Sequence, residues 1–317
     1  MRPPYDITPK ILQLVSSISE KIGETNALFL EKQSPQLRKQ NKIKTIHSSL
    51  QIEGNTLSEE QITALIENKP IIGPQKDITE VLNAIEVYEN LNAYKSSSEK
   101  SFLFAHATLM KELIDQPGSY RTRGVGVVKG SQVAHLAPPA SNVPGLMKEL
   151  FKYLKNDNEL ALIKSCVFHY EMEFIHPFLD GNGRMGRLWQ TIILKERYAV
   201  FEFLPFETLI SQTQDEYYQA LSASDKSGNS TIFIEYMLHI IDSSLGDLLN
   251  VNGQILTSDQ RITHFLSLGK NEFTRKEYMD VFKTISSATA SRDLKKAVES
   301  SLILAEGKGN QTRYFLK

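Results

Sequence analysis

Apolar side chains recur every three or four residues along most of the chain, and this period predicts a mainly α-helical fold. Near the start the apolar positions are Ile11, Leu14, Val15, Ile18 and Ile22. A second run consists of Ile43, Ile46 and Leu50. Gly54-Asn55 is a typical helix terminator, so the second helix is predicted to end there.

The same pattern, together with local start signals, predicts further helices. Ser58 and Gln61 have the spacing of a capping box, which predicts a helix over 59–67. After a loop over 70–76, helices are predicted over 79–94, 99–113, 143–154, 161–174 and 188–197. In the helix over 161–174, a buried stripe is predicted for Leu162, Cys166, Tyr170 and Phe174.

Residues 117–139 depart from the helical pattern. They contain four glycines and the β-forming residues Val125, Val127, Val128 and Val133. Lys129-Gly130-Ser131 is a turn signal between two short runs of these residues, and Pro138-Pro139 follows them. The pattern predicts a β-hairpin within an otherwise helical domain.

Composition and charge suggest how the chain is divided. Its 317 residues are enough for about two domains. The net charge of −1 argues against a general polyanion binder, but it is unevenly spread. Residues 255–317 hold 11 Lys and Arg against 7 Asp and Glu, a net of +4, which leaves −5 on residues 1–254. A linker is therefore predicted over 249–256.

Cysteine content and hydropathy bear on the compartment. Cys166 is the single cysteine, which excludes an intrachain disulfide and fits a reducing environment. Its apolar neighbours predict a buried, inert thiol. The N-terminus lacks the apolar core of a signal peptide, and no run approaches the ~20 apolar residues that span a bilayer. A cytoplasmic protein without membrane contact is expected.

The segment 176–187, HPFLDGNGRMGR, offers phosphate-binding chemistry. Gly181-Asn182-Gly183 permits a turn whose N–H groups form an anion nest at the start of a helix. Arg184 and Arg187 are three residues apart, so they lie on one helical face and can grip phosphate oxygens. Phe178 is interpreted as a core anchor of the loop.

Two further side chains complete a reactive site. Asp180 offers a hard oxygen ligand for a Mg²⁺ ion shared with substrate phosphates. His176 titrates near neutral pH and can act as a general base. Each residue alone has an ordinary structural explanation, such as a capping histidine, a turn or a solvated arginine. Together they fit the attack of a hydroxyl on a nucleotide phosphate.

The segment 176–187 resembles the Fic family signature, His-Pro-Phe-x-Asp/Glu-Gly-Asn-Gly-Arg-x-x-Arg, at every specified position. Residues 117–121 (PGSYR) and 136–139 (LAPP) resemble the segments that flank the hairpin flap of that family. The resemblance covers residues 1–250 and implies a mainly α fold, a Fic helical bundle with a small β-hairpin flap. An N-terminal helical region (1–95) and a catalytic domain (96–250) are expected.

The resemblance implies a protein adenylyltransferase, which transfers AMP from ATP to a Tyr, Thr or Ser hydroxyl of a protein, this chain itself included. It implies that His176 is the base, Asp180 the Mg²⁺ ligand and Gly181-Asn182-Gly183 the phosphate nest. Arg184 and Arg187 correspond to the clamps of the β- and γ-phosphates. The flap, residues 125–136, would hold the target segment by strand addition. A few relatives transfer other phosphate-containing groups, so the base of the nucleotide stays open.

Residues 49–55 match the inhibitory pattern of the family, Ser/Thr-x-x-x-Glu-Gly/Asn. Ser49 and Glu53 lie one turn apart on the helix predicted over 41–54. The helix dipole disfavours an anion at a helix C-terminus, so a compensating cation is expected. The resemblance implies that Glu53 pairs with Arg187 and keeps it from the γ-phosphate. In a related alternative, Glu53 positions a water that removes AMP, which makes the enzyme bifunctional.

Residues 255–317 are predicted to form a winged helix-turn-helix domain. Helices are expected from residue 273 and over 285–294, where the pattern Ser-x-x-Thr-x-x-Arg-Asp-Leu resembles a recognition helix. Strands over 302–304 and 312–316, around a turn over 306–309, would form the wing. The candidate phosphate contacts are Arg292, Lys295, Lys308 and Arg313. A net charge of +4 is modest, so DNA and protein both stay open as partners.

An alternative from another functional class is a DNA-binding regulator whose Fic domain only senses a nucleotide. A sensor needs the nest and the arginines but no base, so the intact His176 favours the enzyme. The target protein and the oligomeric state, including a homodimer, are left open by the sequence.

Overall fold

Helices make up most of the chain, as the apolar period predicts. The computed structural model describes residues 3–29, 35–129, 132–155, 158–255, 258–270, 272–282, 285–307 and 312–316. The chain forms two compact units, Met1–Ser244 and Leu245–Lys317. The division of the first unit into a helical region and a catalytic domain stays a prediction.

The first unit is helical apart from one hairpin. Its elements are α1 (Pro9–Phe29), α2 (Pro35–Ile52), α3 (Glu59–Ile66), α4 (Gln75–Glu89), α5 (Glu99–Leu109), β1 (Gly126–Lys129), β2 (Gln132–Leu136), α6 (Val143–Leu154), α7 (Ala161–Ile175), α8 (Asn182–Lys195), α9 (Phe206–Gln212), α10 (Gln214–Ser227) and α11 (Thr231–Ile255). The boundary with the second unit falls within α11.

Local signals place several of these elements correctly. The capping box at the start of α3 is present, with Ser58 accepting from Gln61 and Gln61 reciprocating. The predicted hairpin is the antiparallel pair β1–β2, in which Gly126 pairs with Leu136. The middle of its predicted turn, residues 130–131, lies outside the described residues.

The bounds of three predicted helices of the first unit are wrong, and so is the predicted linker. The helix predicted over 79–94 begins four residues earlier and ends at Glu89, and the helix predicted over 99–113 ends at Leu109. The predicted linker belongs to α11 as far as Ile255, because buried Leu245 and Leu248 continue its apolar face. The helix predicted to begin at Leu188 begins at Asn182, inside the candidate site.

The core of the first unit lies around α7 and α8. Leu162, Cys166 and Tyr170 on α7 are buried as predicted, whereas Phe174 is 36% exposed. Each step of four residues turns about 40° beyond a full helical turn, so three steps carry the stripe out of the core. Cys166 is buried, as predicted, and burial raises the pKa of its thiol to about 12, which disfavours the reactive thiolate.

The second unit combines three short helices with a three-stranded antiparallel sheet. Its elements are α12 (Ser258–Ser267), β3 (Glu272–Thr274), α13 (Arg275–Val281), α14 (Ser287–Glu299), β4 (Ile303–Glu306) and β5 (Arg313–Leu316). The strand order is β3-β5-β4. The helix expected from residue 273 begins at Arg275, because Glu272–Thr274 form the short strand β3, which sequence analysis missed. The predicted turn over 306–309 lies partly outside the described residues.

A buried ion pair joins two helices of the second unit. Arg261 of α12 donates from Nε and Nη2 to the two carboxylate oxygens of Asp293 on α14, over 2.6 and 2.8 Å. Tyr278 adds a hydroxyl hydrogen bond to the same carboxylate. Asp293 therefore has a structural role within the segment that resembles a recognition helix. Across both units, no helix in the described part of the chain is long and apolar enough to cross a membrane.

Candidate active site

His176 ends α7 in a left-handed backbone conformation, with φ of 48° and ψ of 62°. Such a conformation is uncommon outside glycine, and it turns the chain out of the helix into the loop before α8. The His176 Nδ1 atom lies 3.3 Å from the carbonyl oxygen of Glu173. A carbonyl only accepts, so Nδ1 carries the proton in this contact and Nε2 is the basic nitrogen.

Arg121 holds the backbone around His176 in place through hydrogen bonds. Its Nε donates to the carbonyl of His176 over 2.7 Å, and its Nη2 donates to the carbonyls of Pro138 and Ile175. Its own backbone N–H donates to the carbonyl of Pro177. Arg121 is buried, and burial lowers its pKa. It thereby ties the loop to the segment that follows the hairpin.

The loop is locked internally by Asn182. Its side-chain oxygen accepts from the N–H of Phe178 over 2.9 Å, and its amide donates to the carbonyl of Phe178 over 3.0 Å. The Phe178 ring is fully buried and stacks against Phe102, which confirms that it anchors the loop in the core. The Asn182 side chain thus serves the loop, so a phosphate role falls to its backbone N–H.

Sequence analysis missed His106 of α5, which contacts the loop at Phe178 and at the carbonyl of Asp180. Its Nδ1 accepts from the N–H of Gly118, so its Nε2 donates to the carbonyl of Asp180, over 3.0 Å. Its ring stacks on Phe178 at 3.5 Å between centroids. Burial lowers the pKa of His106 to about 4, so the ring is neutral at pH 7.

The glycines of the loop are required by close approaches. Gly181 has a φ of 83°, and a Cβ there would lie 2.7 Å from Sδ of Met110. A Cβ on Gly183 would overlap Oε1 of Glu53. Gly181 is the N-cap of α8, so the first N–H groups of this helix have no partner within it. The predicted anion nest therefore lies at a helix N-terminus.

Asp180 is suited to one metal ion. Its Oδ1 accepts from the N–H of Gly181 over 2.6 Å and from Nη2 of Arg184 over 3.2 Å. Half of the Asp180 side chain is exposed. No cluster of three potential metal ligands occurs among the described residues. A single carboxylate of this kind fits Mg²⁺, which takes few protein ligands and shares substrate phosphates.

Arg184 and Arg187 lie on one face of α8 and are both buried. Arg184 donates from Nη1 to Glu80 over 3.1 Å and from Nη2 to Asp180. In the part of the chain that is described, Nε of Arg184 and Nη1 of Arg187 are buried without a hydrogen-bond acceptor. Unsatisfied buried donors are rare, and an anion at this face of α8 could accept from both of these.

Arg187 contacts Glu53, its predicted partner, and also Ser49 of the same inhibitory pattern. Its Nε donates to Oγ of Ser49 over 3.1 Å, and its Nη2 donates to the Ser49 carbonyl and to Oε1 of Glu53, both over 2.8 Å. Glu53 follows the last residue of α2, and its side chain is 26% exposed. Burial lowers the pKa of Arg187, but the charge and hydrogen bond of Glu53, together with the charges of Tyr217 and Glu173, outweigh burial and raise the pKa overall.

The structure brings the predicted residues together in two sets of contacts on successive turns of α8. Asp180 contacts Arg184 on one turn of α8, and Arg187 contacts Ser49 and Glu53 on the next. His176 is connected to these residues by the loop between α7 and α8, at whose start it lies. Two supporting residues, Glu80 and His106, come from distant segments and carry no local signal. A third, Arg121, ends the segment 117–121 that resembles the family, but its role in the loop was not predicted.

Comparison with known proteins bears on the family. The Fic/DOC family model matches residues 96–194. The crystal structure of a Fic family protein from Desulfovibrio desulfuricans G20 is 40% identical, covers 100% of this chain and 98% of that chain, and gives a TM-score of 0.77.

Two curated relatives carry names that describe an activity. A probable protein adenylyltransferase of Aquifex aeolicus is 35% identical over 119 residues, which are 36% of each chain. Protein adenylyltransferase fic-1 of Caenorhabditis briggsae is 26% identical over 232 residues, 68% of this chain and 43% of that protein. This chain therefore spans less than half the length of these two relatives. Because similarity to the Desulfovibrio protein extends over both whole chains at 40% identity, the chain belongs to the Fic family.

Proposed function

We propose that the chain is a protein adenylyltransferase, which transfers AMP from ATP to a Tyr, Thr or Ser hydroxyl of a protein. The observation that carries the proposal is the pair of buried arginines on α8, each with an N–H that lacks an acceptor, beside a helix N-terminus. Two guanidinium groups and a helix N-terminus together suit a chain of phosphates.

In the proposed reaction, Nε2 of His176 accepts the proton of the target hydroxyl. The hydroxyl oxygen then forms a bond to the α-phosphorus of ATP, and the bond from that phosphorus to the bridging oxygen of pyrophosphate breaks. Arg184 holds the β-phosphate and Arg187 the γ-phosphate, so negative charge on the leaving group is stabilised. Asp180 would hold Mg²⁺, which supplies further charge neutralisation at the phosphates.

The hairpin offers a way to present the target. A two-stranded sheet has an unpaired edge on each strand, so β1 or β2 can accept an extended segment of another protein. Arg121 connects the backbone at Pro138, just beyond β2, with that of His176. An added strand would therefore be held in a defined position relative to the base.

Glu53 acts as a built-in inhibitor in this proposal. It occupies the Nη2 group of Arg187 that would otherwise bind the γ-phosphate. A hydrogen bond between charged groups contributes about 1.5–3 kcal/mol, which corresponds to roughly ten- to hundredfold in rate if it must be broken first. Low basal transfer is therefore expected.

The test is transfer of label from ATP tagged at the α-phosphate to protein. Glu53→Gly is expected to raise labelling, and adding His176→Ala to that variant is expected to abolish it. Glu67→Gly is the matched control, since Glu67 also directly follows a helix, α3, but pairs with Lys39 and Lys69 instead. Labelling that survived His176→Ala, or that was unchanged by Glu53→Gly, would contradict the proposal.

A second candidate function rests on the second unit. We propose that it is a winged helix that binds DNA through α14. Three helices with a sheet of order β3-β5-β4 support this fold, and α14 exposes Arg292, Lys295 and Lys296. Of the other predicted phosphate contacts, Arg313 is paired with Glu272, and Lys308 lies outside the described residues.

Fluorescence anisotropy with duplex DNA at several salt concentrations tests the second candidate. Replacing Arg292 and Lys295 with alanine is expected to weaken binding and to lower the salt slope by about two. Lys226→Ala on α10 is the control, because Lys226 is an exposed cation of the first unit. Binding that is equally strong in all variants would contradict a DNA contact through α14.

A further inference from the structure

Glu80 is a buried carboxylate on α4 to which the proposed reaction assigns no role. Its side chain is only 6% exposed. Buried carboxylates are costly unless they are paired and hydrogen-bonded, so their partners indicate why they are present. Both oxygens of Glu80 are engaged, each by a different part of the candidate site.

One oxygen of Glu80 holds a proposed phosphate clamp. Oε1 accepts from Nη1 of Arg184 over 3.1 Å, and the exposed Lys76 lies 3.9 Å from the same oxygen. The other end of the Arg184 guanidinium contacts Asp180. Since Asp180 is half exposed and is the proposed Mg²⁺ ligand, Glu80 is the buried anchor of this guanidinium.

The other oxygen of Glu80 connects with the segment after α2. Oε2 accepts from Nδ2 of Asn55 over 2.8 Å. Asn55 also donates to the carbonyl of Asp77, and its Oδ1 accepts from the N–H of Leu57. A rotation of the Asn55 amide would break these bonds, so its orientation is fixed. Asn55 therefore also fixes the position of Glu80.

We propose that Glu80 is a positioning residue that orients the Arg184 guanidinium for the β-phosphate of the nucleotide. The inference rests on the proposed function. A guanidinium held at both ends before the nucleotide arrives loses little side-chain entropy on binding, which is the usual benefit of preorganisation. The buried Nε of Arg184 has no acceptor among the described residues, and with the guanidinium held in this way it is a donor in a fixed position for the phosphate.

The direction in which phosphate affinity changes when Glu80 is replaced distinguishes a positioning role from a purely electrostatic effect. Glu80 is an anion near an anion-binding site, so removing its charge alone would strengthen phosphate binding. Loss of positioning would weaken it. In Glu80→Gln the shape is kept, but the amide has one accepting oxygen where the carboxylate has two, so it cannot accept from both Arg184 and Asn55. A fall in affinity for a β-phosphate would therefore run against the change in charge.

The experiment is calorimetric titration of the full chain with ADP and with AMP, each in the presence of Mg²⁺. Glu80→Gln is expected to weaken ADP binding about tenfold and to leave AMP binding within about twofold, because AMP lacks the β-phosphate. Arg184→Ala is expected to show the same selectivity with a larger loss. Glu86→Gln is the matched control, since Glu86 is an exposed glutamate on the same helix.

The nucleotide titrations distinguish failure of the role of Glu80 from failure of the proposed function. Unchanged or tighter ADP binding in Glu80→Gln, with a loss in Arg184→Ala, overturns the role of Glu80 and leaves the proposed function standing. Equal loss of AMP and ADP binding in Glu80→Gln means that Glu80 only supports the fold, which also overturns the inference. A parent chain that binds neither nucleotide overturns the proposed function itself.

Discussion

Replacing Gln214 with alanine is expected to release Arg187 from Glu53 without touching either residue. Gln214, at the start of α10, donates from Nε2 to the carbonyl of Ile52 over 3.0 Å. Ile52 is the last residue of α2 and directly precedes Glu53. The last carbonyls of a helix have no partner within it, so without such a bond the end of α2 would fray easily. The bond from Gln214 therefore holds Glu53 in place.

Two further neutral hydrogen bonds fasten α2 to the same side of the unit. Ser211 donates to Oε1 of Gln51 over 2.9 Å, and Ser48 donates to Thr208 over 3.2 Å. Neutral hydrogen bonds contribute about 0.5–1.5 kcal/mol each. Loss of the bond from Gln214 is worth about 1 kcal/mol, so the fraction of molecules with a released Arg187 should rise about fivefold.

The assay is the initial rate of label transfer from ATP tagged at the α-phosphate. Gln214→Ala is expected to raise the rate about fivefold in the parent and to have no further effect in Glu53→Gly. Gln219→Ala is the control, because Gln219 is an exposed glutamine on the same helix. An equal increase in both backgrounds, or none in the parent, would refute the argument that Gln214 acts through Glu53.

Three other predictions concern stability, each measured by urea denaturation. Gly186→Ala should cost about 1–3 kcal/mol, because its Cβ would lie 2.6 Å from Cδ2 of His169, whereas Gly145→Ala on open helix surface should be neutral or stabilising. Burial lowers the pKa of His169 to about 3, so the unfolded chain binds a proton that the folded chain does not between pH 6.5 and pH 3. The parent should therefore lose stability as the pH falls through this window, and His169→Gln should show a shallower slope, unlike His239→Gln at an exposed position. Asp293→Ala should cost about 3–5 kcal/mol, because it removes the buried carboxylate that accepts two hydrogen bonds from the buried Arg261. A cost below 1 kcal/mol for the first or third change, or equal pH slopes for the second, would contradict these assignments.

The arrangement of the loop over 176–187 could be predicted from the sequence because the residues concerned are close together in the chain. A base, a carboxylate, a glycine turn and two arginines lie within twelve consecutive residues, and their spacing alone places the arginines on one helical face. The contact of Arg187 with Glu53 joins residues 134 apart, and only the family resemblance suggested it.

What the sequence could not predict depends on tertiary packing. The start of α8 was placed six residues too late, because Gly183 and Gly186 each cost a helix about 1 kcal/mol. Close packing of α8 on its neighbours overrides this propensity, since a Cβ at either position would collide with another segment. Glu80 and His106 could not be identified for a related reason, because their partners lie 104 and 74 residues away.

The most direct test of the account is a crystal structure of Glu53→Gly with Mg²⁺ and a non-hydrolysable ATP analogue. The account predicts that the β- and γ-phosphates contact Arg184 and Arg187, and that the α-phosphorus faces the Nε2 side of His176. Phosphates bound elsewhere on the chain, or an α-phosphorus turned away from His176, would contradict it.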